Sequence, residues 1–173
     1  KKSKVPKVLG VLHLVVGGIT ALSGLFGVFS GKSQADNFQE KFAGGATDIV
    51  VSDSLLEKLS VLDAPSRMIG GVELLVSLLM IVAGIGLLKY AQWGRRVSNC
   101  YGVLSLLAKA ANVYVVTVLA APFYEEFIAT NEALQLLGTG GMLAIVLSSV
   151  AVTCIYPVVS LILVNIKSAR LSL

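Results

Sequence analysis

The chain has 173 residues, of which 55% are hydrophobic and only 14% charged, and its mean hydropathy is +0.84. Soluble domains are charged at about a quarter of their residues, so this composition excludes an ordinary soluble domain and predicts an integral membrane protein. The net charge of +4 does not require nucleic acid as a partner, because basic segments flanking a membrane account for it. We therefore expect the lipid bilayer as the first partner and no nucleic acid.

Four apolar segments are long enough to cross a bilayer, which takes about 20 residues of helix. In chain order they cover residues 8–30, 68–88, 98–122 and 142–164. They predict an all-α polytopic membrane protein in which residues 1–173 form one domain, a bundle of four transmembrane helices. The first segment is longer than the apolar part of a signal peptide, about 7–15 residues, so we interpret it as a retained helix.

Charged residues divide the segments outside these helices into two classes. Both tails and the short connection between the second and third helices contain bases without acids: Lys1, Lys2, Lys4, Lys7, Lys89, Arg95, Arg96, Lys167 and Arg170. The connection over residues 31–67 contains both signs, and the connection before the fourth helix is acidic. The positive-inside rule then predicts that both termini are cytoplasmic.

The first extracytoplasmic loop, residues 31–67, is long for a bundle connection and predicts short amphipathic helices. Phe38 and Phe42 are four residues apart, and Ser54 with Glu57 has the spacing of a capping box. The leucines that follow share one helical face: Leu55, Leu56, Leu59 and Leu62. Pro65 is expected to end or kink that helix. These helices either lie on the outer leaflet or cap the bundle, and the functional alternative is a docking surface for another subunit.

A further short helix is expected in the loop before the fourth segment. The stretch NEALQLLGTGG is compatible with a helix that ends at Gly138.

Each apolar segment has one face that gathers its small residues. Membrane helices use such residues to approach one another closely. The helix-packing candidates are Gly17, Ala21 and Gly24 on the first segment, Gly84 on the second and Gly102 on the third. The same faces also carry the polar residues, so the pattern fits either a polar bundle interior or surfaces that bind other subunits.

Four polar residues inside the apolar segments are the candidate site residues: Lys109, Glu73, Asn112 and His13. An isolated lysine at the centre of a membrane helix costs about 2.5–3.5 kcal/mol, so Lys109 needs a partner. Three interpretations stay open: a structural pair with Glu73, a contact with an acid of another chain, or a polar pocket or ion path. His13 alone does not make a metal or haem site, and we interpret it as hydrogen-bonded packing.

No nucleophile motif, metal cluster, dinucleotide fingerprint or phosphate loop occurs in the sequence. We therefore expect neither enzymatic activity nor a cofactor nor a metal site. Cys100 and Cys154 lie in or beside apolar segments, and we interpret them as buried inert thiols.

The stretch GGVELLVSLLMIVAGIGLL, followed by WGRR, resembles small bacterial four-helix membrane proteins, of which the DoxX-like proteins are one group. A glutamate, several glycines and a basic turn carry this resemblance. It implies a four-helix membrane fold and no particular activity, and we expect the bacterial inner (plasma) membrane as the location.

These features predict an accessory or scaffolding subunit of a larger membrane complex, acting through helix–helix and loop-mediated binding to other membrane protein subunits. The alternative is a small oligomeric transporter or channel with a polar path through Lys109 and Glu73. A homo-oligomer is compatible with either function.

Overall fold

The computed structural model describes residues 3–29, 32–42, 51–136 and 138–166, and every regular element within these ranges is helical. The α-helices are α1 (Val5–Phe29), α2 (Gln34–Phe42), α3 (Asp53–Ser60), α4 (Asp63–Leu88), α5 (Gln92–Tyr114), α6 (Ala121–Thr130), α7 (Glu132–Gln135) and α8 (Gly138–Asn165). A π-helical segment, Val115–Leu119, continues α5.

Four helices are long and apolar enough to cross a membrane, over Val5–Phe26, Asp63–Leu88, Gln92–Leu119 and Gly140–Asn165. The prediction is confirmed in so far as the described chain is all-helical and has four helices that are long and apolar enough to span a membrane. The helices begin before the apolar segments do, at Asp63 rather than 68 and at Gln92 rather than 98. Hydropathy falls where charges begin, whereas backbone hydrogen bonding continues through those polar residues.

The long helices pack as antiparallel neighbours in the order α1, α4, α5, α8. We call the end that holds Val5, Leu88, Gln92 and Asn165 the tail side, and the opposite end the loop side. The turn between α4 and α5 lies on the tail side, where Tyr90 has a φ of 52° and its hydroxyl donates to the Ser3 carbonyl at 3.2 Å.

Glycines set the closest approaches between these helices. A Cβ on Gly10 would lie 2.9 Å from the carbonyl oxygen of Gly84. The contact between α4 and α5 is closer still, since a Cβ on Gly94 would lie 2.4 Å from the carbonyl carbon of Gly86. No residue larger than glycine fits at this point without moving the backbone.

The other packing candidates also face neighbouring helices. A Cβ on Gly17 would contact Ile81 and one on Gly24 would contact Leu74, both on α4. A Cβ on Gly102 would lie 2.5 Å from Leu161 of α8. Ala21 is buried on α1.

The short helices on the loop side pack against one another around an apolar cluster that we call the cap core: Leu55, Leu59, Leu62, Ala120, Phe123 and Phe127. The Phe38 ring of α2 meets the rings of Phe123 and Phe127 edge-on, at centroid distances of 5.5 and 5.4 Å. The predicted leucine face is therefore present, with Leu56 only half-buried.

A charged contact joins α3 to α6 beside the cap core. Lys58 Nζ lies 2.5 Å from Glu126 Oε2, and the Ser54 hydroxyl donates to the same carboxylate. These bonds hold the pKa of Glu126 below its ordinary value, the Lys58 contact first and the Ser54 contact second.

Three local predictions in the loops are wrong. The N-cap of α3 is Ser52, whose hydroxyl accepts from the Leu55 amide, and Ser54 instead bonds to Glu126. Pro65 ends no helix, because it lies in the first turn of α4, where its missing N–H costs nothing. Gly138 is the first residue of α8, with a φ of +60°, and the helix before it ends at Gln135.

The predicted burial of the thiols is also wrong, because Cys100 is exposed and Cys154 is half-buried. Residues 1–2, 43–50 and 167–173 lie outside the described residues. They include four of the bases used to predict the orientation: Lys1, Lys2, Lys167 and Arg170.

Candidate functional site

A cavity of about 510 Å³ lies between the four long helices, and residues of all four line it. Its wall contains the charged side chains of Glu73 and Lys109. Seven of the described residues that line it carry a hydroxyl group: Thr20, Ser23, Ser77, Tyr101, Ser105, Thr153 and Tyr156. Apolar residues such as Val16, Val76 and Val152 complete the surface. The cavity therefore offers both charge and hydrogen-bonding groups within segments long enough to span a membrane.

The two charged residues form a direct ion pair across α4 and α5, with Lys109 Nζ 2.5 Å from Glu73 Oε1. Glu73 follows the start of α4 by ten residues, and Lys109 precedes the end of the π segment by ten. At 1.5 Å per residue, both therefore lie about 15 Å from the loop-side ends of their helices. The pair is not sealed, because the Lys109 side chain is 20% exposed and that of Glu73 is 40% exposed.

Asn112 does not line the cavity, although the sequence places it one turn beyond Lys109. It is half-buried on α5. The structure therefore brings Lys109 and Glu73 together and leaves Asn112 outside their site.

His13 lies on the tail side of the cavity and is completely buried. Its Nδ1 lies 2.8 Å from the Tyr156 hydroxyl, and its Nε2 lies 3.0 Å from Ser98 Oγ and 3.3 Å from Ser160 Oγ. These bonds connect α1 to α5 and α8. A neutral imidazole has one donor and one acceptor nitrogen, and hydroxyl groups satisfy both because they can donate and accept. The His13 hub, as we call these four residues, thus needs no charge.

The hub and its neighbours close the cavity toward the tail side. Met80, Tyr101 and Tyr156 line the cavity at its lower end, and His13 packs edge-on against the Tyr101 ring at 5.3 Å. These residues lie eight or nine positions from the tail-side ends of their helices, about 12–14 Å along the axis. We call this layer the floor.

Sequence reasoning identified His13 but not its partners. Tyr156 and Ser160 are four residues apart on α8 and share a helical face, which was the available signal. The pairing of that face with His13 depends on the register between α1 and α8, which no local pattern specifies.

In the described part of the chain, no group of three or more His, Cys, Asp and Glu side chains is placed to hold a metal ion. No family model, curated protein or solved structure matches this chain.

Proposed function

We propose that this protein is a small membrane transporter that binds a polar solute in the cavity between its long helices. The observation that carries the proposal is the pairing of Lys109 with Glu73 in a partly open cavity lined by hydroxyl groups. Ionisable residues inside a membrane are costly and mark solute or ion paths in many membrane proteins. An ion pair whose only role was to hold α4 against α5 would not need a cavity of this size beside it.

The floor supports a carrier rather than an open channel. Met80 and His13 are almost fully buried, and the His13 hub connects three helices directly below the cavity. A channel needs a continuous path, whereas a carrier needs a site that is closed on one side at a time. We therefore propose that the described conformation is closed toward the tail side.

Both termini are proposed to be cytoplasmic, in a bacterial plasma membrane. Support comes from the bases on the tail side, of which Lys4, Lys7, Lys89, Arg95 and Arg96 fall within the described residues. A membrane-impermeant maleimide tests this orientation in a chain whose native cysteines are replaced by serine. On intact cells, it should label Val61→Cys on the loop side and leave Lys89→Cys unlabelled. The reverse pattern would overturn the orientation.

Transport is tested with the full chain in phospholipid vesicles, by light scattering after addition of glycerol, erythritol, L-alanine, propionate or n-propylamine. At least one solute should enter faster than into empty vesicles. Thr20→Phe, which fills the cavity from α1, should slow that entry.

Ile19→Phe is the matched control, because Ile19 is 64% exposed on the outer surface of the same helix. It should leave the entry rate unchanged. If every solute enters protein-containing and empty vesicles at the same rate, the transport proposal fails.

A scaffolding or accessory role is the second proposal, and a separate observation favours it. An apolar groove of about 660 Å³ lies between α4 and α5, lined by residues that include Leu75, Leu78 and Leu104. A transmembrane helix of another subunit would fit such a surface. Lys109 lends this role no support, because its charge is already paired within the chain.

Purification in mild detergent tests the accessory role. Leu78→Trp should fill the groove and release a co-purifying membrane protein, whereas Val15→Trp on the outer face of α1 should not. Equal recovery of the partner with both variants would argue against docking at this groove.

A further inference from the structure

We propose that the cavity binds a small zwitterion that carries a primary ammonium and a carboxylate, as free amino acids do. Its carboxylate would bind Lys109 and its ammonium would bind Glu73. This inference rests on the proposed transport function and specifies the class of solute.

The charge balance of the cavity selects against ions of one sign. Among the described residues, the charged ones that line the cavity are Lys109 and Glu73, so their formal charges cancel. A lone cation or anion would add an uncompensated charge in a region of low dielectric constant, where such charges cost several kcal/mol. A zwitterion adds no net charge, and each of its ends meets an opposite charge.

The geometry of the pair allows a ligand to enter between the two charges. They project from different helices, α5 and α4, and the lysine ends a flexible stem of four methylenes. Both side chains line the cavity and are partly exposed, so a ligand within the cavity contacts them before the pair opens. The ligand then replaces one ion pair with two.

The surrounding hydroxyls favour a ligand rich in N–H donors. Thr20, Ser77 and Thr153 each donate their hydroxyl hydrogen to a carbonyl of their own helix, at 2.7–2.9 Å. A hydroxyl whose hydrogen is engaged in this way can only accept a further bond. A primary ammonium supplies three N–H groups, whereas a quaternary ammonium supplies none. The cavity therefore favours an amino acid over a betaine.

The test measures binding to the full chain in lipid nanodiscs by isothermal titration calorimetry. The probes are L-alanine, glycine betaine, n-propylamine, propionate and glycerol. L-alanine should bind at least about tenfold more tightly than each of the others, the scale of one lost charge-assisted bond.

Variants locate the site. Glu73→Gln and Lys109→Met should each weaken L-alanine binding by about tenfold or more. The exchanged pair, Glu73→Lys with Lys109→Glu, should restore much of the binding because it retains one charge of each sign. Ile85→Ala, on the outer face of α4, should bind as the unaltered chain does.

The outcomes separate this inference from the function on which it rests. Tighter binding of propylamine, propionate or glycerol would overturn the zwitterion, and tighter binding of betaine would overturn the primary ammonium; either result leaves transport standing. Binding of L-alanine that is insensitive to both single substitutions would overturn the site. If the folded protein neither binds nor transports any probe, both proposals fail.

Discussion

His13 shows how one neutral side chain connects helices far apart in sequence. Its two nitrogens reach hydroxyls of Ser98, Tyr156 and Ser160, so α1, α5 and α8 meet at a single buried residue. In a bilayer, apolar side chains gain little from leaving lipid for a protein interior, and packing and hydrogen bonds determine the arrangement. The hub therefore specifies how the first and last long helices meet.

Removal of the imidazole should leave the buried hydroxyls of Ser98 and Ser160 and the half-buried hydroxyl of Tyr156 with fewer partners. An unsatisfied buried polar group costs about 1–3 kcal/mol, so His13→Ala should lower the free energy of unfolding by about 2–3 kcal/mol. The measurement is unfolding in mixed micelles, followed by far-UV circular dichroism. Val11→Ala is the control, because Val11 is 51% exposed on the same helix. Equal effects of the two substitutions would show that the hub adds no stability.

The glycines of α4 and α5 provide a second test on single residues. A Cβ at Gly94 would lie within 2.4–2.8 Å of backbone atoms of Gly86 and Leu87, so Gly94→Ala must push the helices apart. We expect a loss of about 1–3 kcal/mol, typical of overpacking.

Gly18→Ala is the matched control for that substitution. A Cβ at Gly18 would meet nothing within 4 Å, and alanine favours a helix over glycine by up to about 1 kcal/mol. Thermal unfolding should therefore show a lower midpoint for Gly94→Ala and an unchanged or higher one for Gly18→Ala. A stable Gly94→Ala would contradict the close approach of α4 and α5.

At the scale of elements, the sequence predicted the number of the long helices and their approximate positions along the chain well, because apolar length alone determines them. Their ends were less predictable, since α4 begins at Asp63 and α5 at Gln92, among polar residues. The π segment Val115–Leu119 was not predicted either. Its sequence, VVTVL, is ordinary for a membrane helix, and the segment is recognised from backbone bonds such as the one from the Ala120 amide to the Val115 carbonyl.

The loops show why local signals were ambiguous. Ser52 and Ser54 both precede the leucine face, and the sequence pattern favoured Ser54 as the cap because Glu57 follows it by three residues. In the fold, the hydroxyls of both serines bond to the Glu126 carboxylate, and only Ser52 also accepts from the Leu55 amide, which makes it the cap of α3. Glu126 lies 72 positions from Ser54, so no local pattern in the sequence includes this contact.

The contact between α3 and α6 should weaken in acid. Because the pKa of Glu126 is held below its ordinary value, ionised Glu126 stabilises the folded cap above the ordinary glutamate pKa of about 4.3. That contribution is lost as the pH falls through the lower pKa of the folded state. Hydrogen exchange of α3 and α6, corrected for intrinsic rates, should show less protection at pH 3 than at pH 7.

Two glutamine substitutions separate this effect from general acid sensitivity. Glu126→Gln should reduce the difference in protection between the two pH values, while Glu125→Gln, at an exposed neighbouring position, should retain it. If Glu126→Gln leaves the loss of protection at pH 3 unchanged, groups other than Glu126 cause that loss.

At the scale of the whole molecule, two kinds of contact build the site. Glycine approaches set the spacing of α1, α4 and α5, and the His13 hub ties α8 to α1 on the tail side. The cavity lies between this floor and the loop side. The sequence identified the polar faces and the candidate pair, but whether those faces would meet within one chain depended on register and helix order.

The Lys109–Glu73 pair makes a last prediction, about the stability of the molecule as a whole. Removing one partner of a sealed pair costs about 3–5 kcal/mol, and partial exposure should reduce this to about 1–3 kcal/mol for Glu73→Gln or Lys109→Met. The double substitution leaves no unpaired charge, so its cost should fall below the sum of the single costs by about 1–2 kcal/mol. The free energy of unfolding in mixed micelles is measured for the unaltered chain, the two single variants and the double variant, which together form a double-mutant cycle.

The exposed pair Lys32–Glu40 supplies the control cycle within the same chain. Its side chains are 52% and 65% exposed, so its coupling should lie at about 0–1 kcal/mol. A coupling for Lys109 and Glu73 no larger than this would mean that the pair does not hold α4 against α5. If the double variant is more stable than the single variants predict but does not bind L-alanine, the two charges both stabilise the fold and bind the solute.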